Sequence, residues 1–136
     1  MKRWLIDTGP LVAYVDEADP AHAAAWRLLD GFAGRLYTSS PVVTEAMHLV
    51  ADDPDGPSVL VEFLHASGVE IADITGRGIL VSAVQLMRRY ADTPMDFADA
   101  TLVLLSERLR VFDIVTLDRR GFSTYRSAGR SFRLLL

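Results

Sequence analysis

The sequence predicts an α/β protein in which helices flank a mainly parallel central sheet of about five strands. Short apolar runs alternate along the chain with longer segments of helical periodicity, as in strand–helix–strand units. Half of the 136 residues are apolar, so a single domain over residues 1–136 can bury a core without cross-links. Acidic residues follow several of the strands, and open parallel sheets bind their ligands at that edge.

The N-terminal segments give the first strand, two helices and the second strand. Residues 3–6 form an apolar run that stops at Asp7-Thr8-Gly9-Pro10, which indicates a strand entering a turn. A short helix is predicted at 11–18, and another begins at Asp19-Pro20. Residues 36–39 form the second short strand.

Two helices and a strand are predicted in the middle of the chain. Ser40 offers an N-cap oxygen and Pro41 suits the first helical position, so a helix opens there and ends near residue 51. Residues 58–66 are helical, with Gly68 as the C-terminal stop. The third strand is expected at 69–71.

The C-terminal part of the chain, residues 79–136, contributes two more helices and two more strands to the alternating pattern. Residues 79–90 show helical spacing, and Thr93-Pro94 opens a further helix that carries Asp96 and Asp99 in its first turns. The fourth strand is expected at 112–117, ending at Asp118, and the fifth at 132–136.

Composition excludes several classes of protein. The chain has no cysteine, which excludes disulfides, thiolate zinc sites and cysteine nucleophiles. Its three histidines form no i, i+4 pair, so zinc held by histidine is not expected. No apolar run reaches the roughly 18 residues of a membrane span, and Asp7 interrupts the stretch that a signal peptide would need. We therefore expect a cytoplasmic protein without a membrane partner.

Charge is distributed unevenly along the chain. Residues 1–106 carry seven basic and fifteen acidic groups, whereas residues 107–136 carry seven arginines and three acids. An acidic body with an arginine-rich end is expected of a metal site beside a phosphate-binding surface. A solvated face in a chain that prefers Arg to Lys is the alternative interpretation.

Five carboxylates are placed where one edge of the sheet can collect them. Asp7 and Asp118 end predicted strands beside the hydroxyls of Thr8 and Thr116, whereas the others lie in early helical turns. The five candidates are Asp7, Glu45, Asp96, Asp99 and Asp118. Carboxylates packed closely repel one another, and a divalent cation relieves that repulsion. Hard oxygen ligands select Mg²⁺ or Mn²⁺, which can activate water and orient a phosphodiester.

Each acid alone also has an ordinary structural interpretation. Asp7 and Asp118 can be turn residues, and Glu45 can be a solvated helix residue. Acids in a first helical turn, such as Asp96 and Asp99, are favoured by the macrodipole by about 0.3–1 kcal/mol each. The set is more informative than its members, because unrelated solvated acids need not all fall at one edge.

Four segments, in order, resemble the PIN-domain ribonucleases, particularly the VapC-type toxins of bacterial toxin–antitoxin pairs. They are Leu5-Ile6-Asp7-Thr8-Gly9, Ser40-Pro41-Val42-Val43-Thr44-Glu45, Pro94-Met95-Asp96-Phe97-Ala98-Asp99-Ala100 and Val115-Thr116-Leu117-Asp118-Arg119-Arg120-Gly121-Phe122. The resemblance implies a PIN-like α/β/α sandwich and an acidic quartet of Asp7, Glu45, Asp99 and Asp118. Asp96 is then an auxiliary ligand, and Asp118 is either a metal ligand or a residue one layer behind the ligands.

The resemblance also implies an activity and partners. It implies a Mg²⁺- or Mn²⁺-dependent endoribonuclease that leaves 5′-phosphate and 3′-hydroxyl ends, with Asp7, Asp99, Asp118 and Asp96 near the metal. Thr8 and Thr116 are auxiliary, and Arg119 and Arg120 are predicted to hold the RNA backbone. Tyr125 and Arg126 are considered as a further RNA contact. A homodimer, a small antitoxin, and a tRNA, rRNA or mRNA substrate are expected.

Two other classes are weighed against this one. A non-catalytic PIN-like module that binds RNA or protein would be expected to lose one or two of the acids, and all are present. A phosphatase with an aspartate nucleophile requires a second acid at the position of Gly9. A receiver domain requires a lysine late in the chain, whereas the only lysine here is Lys2. Both phosphoryl-transfer patterns fit poorly.

Overall fold

The computed structural model describes residues 1–136 and contains seven strands. In chain order they are β1 (Arg3–Ile6), β2 (Arg35–Ser39), β3 (Glu70–Ala72), β4 (Asp113–Val115), β5 (Arg126–Ser127), β6 (Arg130–Ser131) and β7 (Arg133–Leu135). Five of them form a parallel sheet in the order β3-β2-β1-β4-β7, and β5 pairs with β6 in a small antiparallel hairpin. The predicted fold class, with five parallel strands, is confirmed.

Seven helices connect these strands. In chain order they are α1 (Thr8–Val15), α2 (His22–Leu29), α3 (Ser40–Val50), α4 (Gly56–Ala66), α5 (Arg77–Arg89), α6 (Phe97–Leu109) and α7 (Arg119–Thr124). None of them has the length and hydropathy that crossing a lipid bilayer requires. Helix α1 contacts α2, α3 and α4, and α5 packs along α6.

The sheet is covered on both faces. Trp4, Leu5 and Ile6 are all buried in β1, although successive side chains of a strand point to opposite faces. Burying a side chain of the size of Leu5 or Ile6 contributes roughly 1.5–3 kcal/mol. The resulting core is one continuous cluster of 28 buried apolar residues, which fixes the sheet edges that carry the candidate site.

The order in which the strands are added to the sheet changes direction at β1. Strands β2 and β3 lie on one side of β1, and β4 and β7 lie on the other. The backbone N–H of Asp7, just beyond β1, donates to the carbonyl oxygen of Val115 at 3.0 Å. Ligands of open α/β sheets bind beyond the carboxyl ends of the strands at such a reversal. Asp7 therefore lies at the position where this topology favours a binding site.

The prediction that Ser40 caps its helix is wrong. Helix α3 includes Ser40, and its N-cap residue is Ser39, whose side chain makes no capping hydrogen bond. The Ser39 hydroxyl is buried and instead lies 2.7 Å from the hydroxyl of Thr101 in α6. A tertiary hydrogen bond has taken the place of the local cap.

Other boundaries also differ from the predictions. Helix α1 begins at Thr8 instead of residue 11, because the Asp7 carboxylate accepts from the Thr8 N–H and caps the helix. Helix α6 begins only at Phe97, since Asp96 is its cap. Helix α7 and the hairpin of β5 and β6 were not predicted at all, because six-residue and two-residue elements show no periodicity.

Candidate active site

Asp7 is almost fully buried, with 7% of its surface exposed. One carboxylate oxygen accepts from the Thr8 N–H and the other from the Thr116 hydroxyl, both at 2.8 Å. Burial raises the pKa of Asp7 from 3.8 to about 6, and the charges of Asp118 and Asp96 add to the rise. The two hydrogen bonds lower the pKa but do not cancel the effect of burial. Asp7 is therefore a desolvated acid that a cation would stabilise as the carboxylate.

Asp96 and Asp99 form a reciprocal capping box at the start of α6. The Asp99 N–H donates to Asp96 Oδ1 at 2.8 Å, and the Asp96 N–H donates to Asp99 Oδ2 at 3.1 Å. The hydrogen bond between Ser39 and Thr101 joins this turn to the end of β2. Burial raises the pKa of Asp99, and the negative charges of Asp96 and Asp7 raise it further.

Thr116 connects Asp7 to Asp118. Its hydroxyl donates to Asp7 Oδ2 at 2.8 Å and accepts from the Asp118 N–H at 3.0 Å. Asp118 in turn caps α7, because its Oδ1 accepts from the Gly121 N–H at 2.9 Å. The predicted auxiliary position of Thr116 is thus a physical link between two of the predicted acids.

One open cavity of about 480 Å³ brings all five predicted acids together. Glu45 lines it from α3, a helix that contacts α6, which carries Asp99. The cavity also contains Asp19, which was not predicted as a site residue because it follows α1 in a turn without periodicity. Its complete lining is Asp7, Thr8, Gly9, Val12, Asp19, Glu45, Leu49, Asp96, Asp99, Leu117 and Asp118.

The donor set of this cavity fits a hard divalent cation. Six carboxylates and no basic side chain line it, so no cationic group of its wall offsets the negative charge. Thr8 also lines the cavity, and its hydroxyl is buried without a hydrogen-bond partner. No three of the acidic side chains are arranged closely enough to hold one ion together. Mg²⁺ commonly takes one or two protein carboxylates and keeps several waters, which suits carboxylates spread around a cavity.

The arginine-rich end does not form one surface beside these acids, contrary to the expectation from charge. Arg133 makes a bidentate ion pair with Asp113, at 2.8 and 2.9 Å. Arg110 and Arg130 lie 5.3 and 3.9 Å from the ring centre of Phe112, at the amino end of β4. These contacts hold the three side chains at the opposite edge of the sheet, near the amino ends of β4 and β7.

Arg119 and Arg120 are exposed and follow Asp118 directly, but neither lines the cavity. The guanidinium of Arg119 donates to the carbonyl oxygen of Leu136. Their predicted contact with RNA stays a prediction.

Tyr125 and Arg126 are structural in this fold. Tyr125 is fully buried, and its hydroxyl donates to the carbonyl oxygen of Pro94 at 2.8 Å. The guanidinium of Arg126 donates to three carbonyl oxygens at the end of α7, those of Ser123, Thr124 and Tyr125. The considered RNA contact is therefore wrong for Tyr125, whose ring lies in the core, whereas for the exposed Arg126, which caps α7, it stays a prediction.

The fold and the cavity together define a class, an α/β domain with an acidic site at the carboxyl edge of its parallel sheet. The PIN domain family profile matches residues 4–127. Ribonuclease VapC26 of Mycobacterium tuberculosis is 37% identical over 127 residues, which span 92% of this chain and 93% of the relative. The chain belongs to the PIN domain family.

Three solved structures have a fold similar to that of this protein over nearly its whole chain. VapC20 of Mycobacterium tuberculosis, a sarcin–ricin loop cleaving toxin, matches with a TM-score of 0.74 at 17% identity, covering 91% of this chain and 97% of that one. VapBC2 of Rickettsia felis, bound to a promoter DNA fragment, gives 0.62 at 14% identity and 98% coverage of both chains. DNA-bound VapBC of Salmonella typhimurium gives 0.61 at 16% identity, with the same coverage.

Proposed function

We propose that this protein is a Mg²⁺- or Mn²⁺-dependent endoribonuclease and the toxin of a toxin–antitoxin pair. The observation that carries the proposal is the single cavity in which all five predicted acids meet without a basic side chain. The identity to a VapC ribonuclease over nine-tenths of the chain supports RNA as the substrate. The alternative of a non-catalytic PIN-like module is disfavoured, because binding alone does not require a complete set of mutually repelling acids around one cavity.

The residues of the cavity have different roles in the proposed reaction. Asp7, Asp99, Asp118 and the auxiliary Asp96 would hold the ion, one or two of them directly and the others through its waters, and Glu45 lines the same cavity from α3. When bound, the ion lowers the pKa of water and neutralises charge on the phosphodiester. Thr116 keeps Asp7 oriented and ionised, because its hydroxyl donates to the carboxylate. Thr8 helps to orient the same carboxylate, because its backbone N–H donates to the other oxygen of Asp7.

Arg119 and Arg120 are the proposed contacts to the RNA backbone. They are exposed, and α7 holds them next to Asp118. Guanidinium groups bind phosphate oxygens without reading the base, so these residues position the strand and leave the target undefined.

The proposed protein partners are a second copy of this chain and a small antitoxin. Leu80, Val81 and Val84 on α5 are 45–55% exposed and adjacent, which supports an interface on this helix. The VapBC structures contain toxin and antitoxin together. An antitoxin segment that placed an Arg or Lys among the carboxylates would compensate the charge that the cavity itself leaves uncompensated.

The test is RNA cleavage by the purified, partner-free protein. We expect cleavage with Mg²⁺ or Mn²⁺ and none in EDTA, with restored activity when the metal is added back. Asp7→Asn and Asp99→Asn should each fold and lose at least about 100-fold in rate, because each removes a carboxylate charge from the cavity. Asp73→Asn is the matched control, since Asp73 is an exposed acid outside the cavity. Undiminished cleavage in EDTA, or full activity of either site variant, would contradict the proposal.

A further inference from the structure

Asp118 is held against a glycine that leaves no room for a side chain. Gly121 lies within α7 and has no positive φ, so its backbone alone does not require glycine. A Cβ at this position would collide with Oδ2 of Asp118 and would lie 3.0 Å from the Tyr125 hydroxyl. The carboxylate of Asp118 thus occupies the space that a side chain at position 121 would fill.

Tyr125 connects the turn that holds Asp118 to the segment that precedes Asp96. Its hydroxyl donates to the Pro94 carbonyl oxygen, two residues before Asp96, the cap of α6. Its ring is held edge-on by Tyr90 and Phe122, at centroid distances of 5.0 and 5.1 Å. The hydroxyl therefore joins the helix that begins at Asp118 to the loop that leads into Asp96.

We propose that Gly121 and Tyr125 are positioning residues that set the placement of the Asp118 and Asp96 carboxylates across the cavity. Gly121 provides the space and the N–H that hold the Asp118 carboxylate. Tyr125 fixes the distance between α7 and the loop before α6. Neither residue lines the cavity, so each acts only through the carboxylates that do. The role toward metal rests on the proposed function, whereas the placement of the carboxylates does not depend on it.

Two conservative variants separate this role from ordinary packing. Tyr125→Phe keeps the ring and removes only the hydroxyl, and Gly121→Ala adds one methyl group to a helical residue. Tyr90→Phe is the matched control for the first, because it removes a neighbouring hydroxyl that accepts from the Arg126 N–H. Gly78→Ala is the control for the second, since a Cβ there meets nothing within 4 Å. Melting temperatures of all four variants report whether each one folds.

The first readout needs no metal. Amide hydrogen exchange of the metal-free protein reports the cap at position 121, where the N–H donates to Asp118, and the cap at Asp99, where it donates to Asp96. We expect at least tenfold faster exchange at position 121 in Gly121→Ala and at Asp99 in Tyr125→Phe, with both controls unchanged. Wild-type exchange at these amides in the folded variants would overturn the proposal.

The second readout is Mn²⁺ affinity by calorimetry, followed by RNA cleavage at saturating Mn²⁺. Loss of a group that orients a metal ligand typically lowers affinity 10–100-fold, which is the expected effect of both variants. Faster exchange with unaltered Mn²⁺ affinity would overturn the role toward the metal. A wild-type protein that binds no Mn²⁺ would instead refute the proposed function, and the exchange data would still decide whether Gly121 and Tyr125 place the carboxylates.

Discussion

Asp7 is a carboxylate in surroundings that disfavour its charge. It is desolvated, it lies among other acids, and only two hydrogen-bond donors from Thr8 and Thr116 oppose these effects. A raised pKa means that the folded protein binds the proton more tightly than the unfolded chain. Ionisation of Asp7 in the absence of metal therefore works against folding.

This makes the stability of the metal-free protein depend on pH in a defined direction. Between pH 3.8, the ordinary pKa, and about 6, the pKa in the fold, Asp7 is protonated in the folded state and ionised in the unfolded chain. The contribution of Asp7 to the free energy of unfolding is fully present below pH 3.8 and is lost as the pH rises through about 6. Two pKa units correspond to about 3 kcal/mol.

We expect urea unfolding to show this loss as a difference between the wild type and Asp7→Asn. Without metal, the stability of the wild type relative to the variant should fall by about 3 kcal/mol between pH 4 and pH 8. Mn²⁺ should restore the wild type at pH 8 and have little effect on the variant. A wild-type advantage that stays constant with pH would contradict the assigned surroundings of Asp7.

At the residue scale, the sequence predicted correctly that the five acids meet at one edge of the sheet, but not where Arg110, Arg130 and Arg133 lie. Asp7 and Asp118 follow strands, and the topology of a parallel sheet is enough to bring such residues to one edge. The positions of Arg126 and Arg133 depend on a six-residue helix and on a partner acid in β4, which no local pattern reveals. Gly121 and Tyr125 show their role only through contacts between distant segments.

The element that matters most to the cavity is the start of α6. It carries Asp96 and Asp99, and its attachment to the sheet runs through two buried hydroxyls, those of Ser39 and Thr101. Thr101 also donates to the carbonyl oxygen of Ala98 at 2.6 Å in the first turn. The capping box sets the local shape of the turn, and this tertiary hydrogen bond sets its place.

Thr101→Val should destabilise the protein by about 1–3 kcal/mol, because it leaves the Ser39 hydroxyl buried and unpaired. Urea unfolding measures the loss. The double variant Ser39→Ala with Thr101→Val removes both polar groups and should recover part of that stability. A single variant as stable as the wild type would show that the hydrogen bond does not hold α6 in place.

At the element scale, every strand of the main sheet was predicted from the sequence within a few residues. Buried parallel strands are short apolar runs between turn residues, and that pattern is local. Helix starts were less accurate, because a cap can be chosen by tertiary contacts, as at Ser39, or can lie next to the strand, as at Asp7. The α7 helix and the hairpin are too short for periodicity to reveal them.

At the scale of the whole molecule, three of the C-terminal arginines lie at the edge of the sheet opposite the acidic cavity. The acidic cavity lies beyond the carboxyl ends of β1 and β4, whereas Arg110, Arg130 and Arg133 lie near the amino ends of β4 and β7. Such a molecule attracts cations and cationic side chains to one edge and repels RNA phosphate there until a metal ion is bound. Metal binding is therefore expected to precede productive RNA binding.

The proposed homodimer gives a prediction at the same scale. Val84→Glu places a charge at the centre of the exposed apolar group on α5, so it should shift the protein to a monomer in sedimentation velocity. Val61→Glu, at an exposed valine of α4 outside this group, is the matched charge control and should leave the dimer intact. A wild-type monomer, or a Val84→Glu dimer of unchanged affinity, would contradict an interface on this helix.

The most direct measurement is a calorimetric titration of the partner-free, metal-free protein with Mn²⁺ at pH 8. The wild type should bind Mn²⁺, and Asp7→Asn and Asp99→Asn should weaken binding at least tenfold, whereas Asp73→Asn should bind like the wild type. Equal affinity in all four proteins, or no binding by the wild type, would contradict the claim that the acids at the carboxyl edge form a metal site.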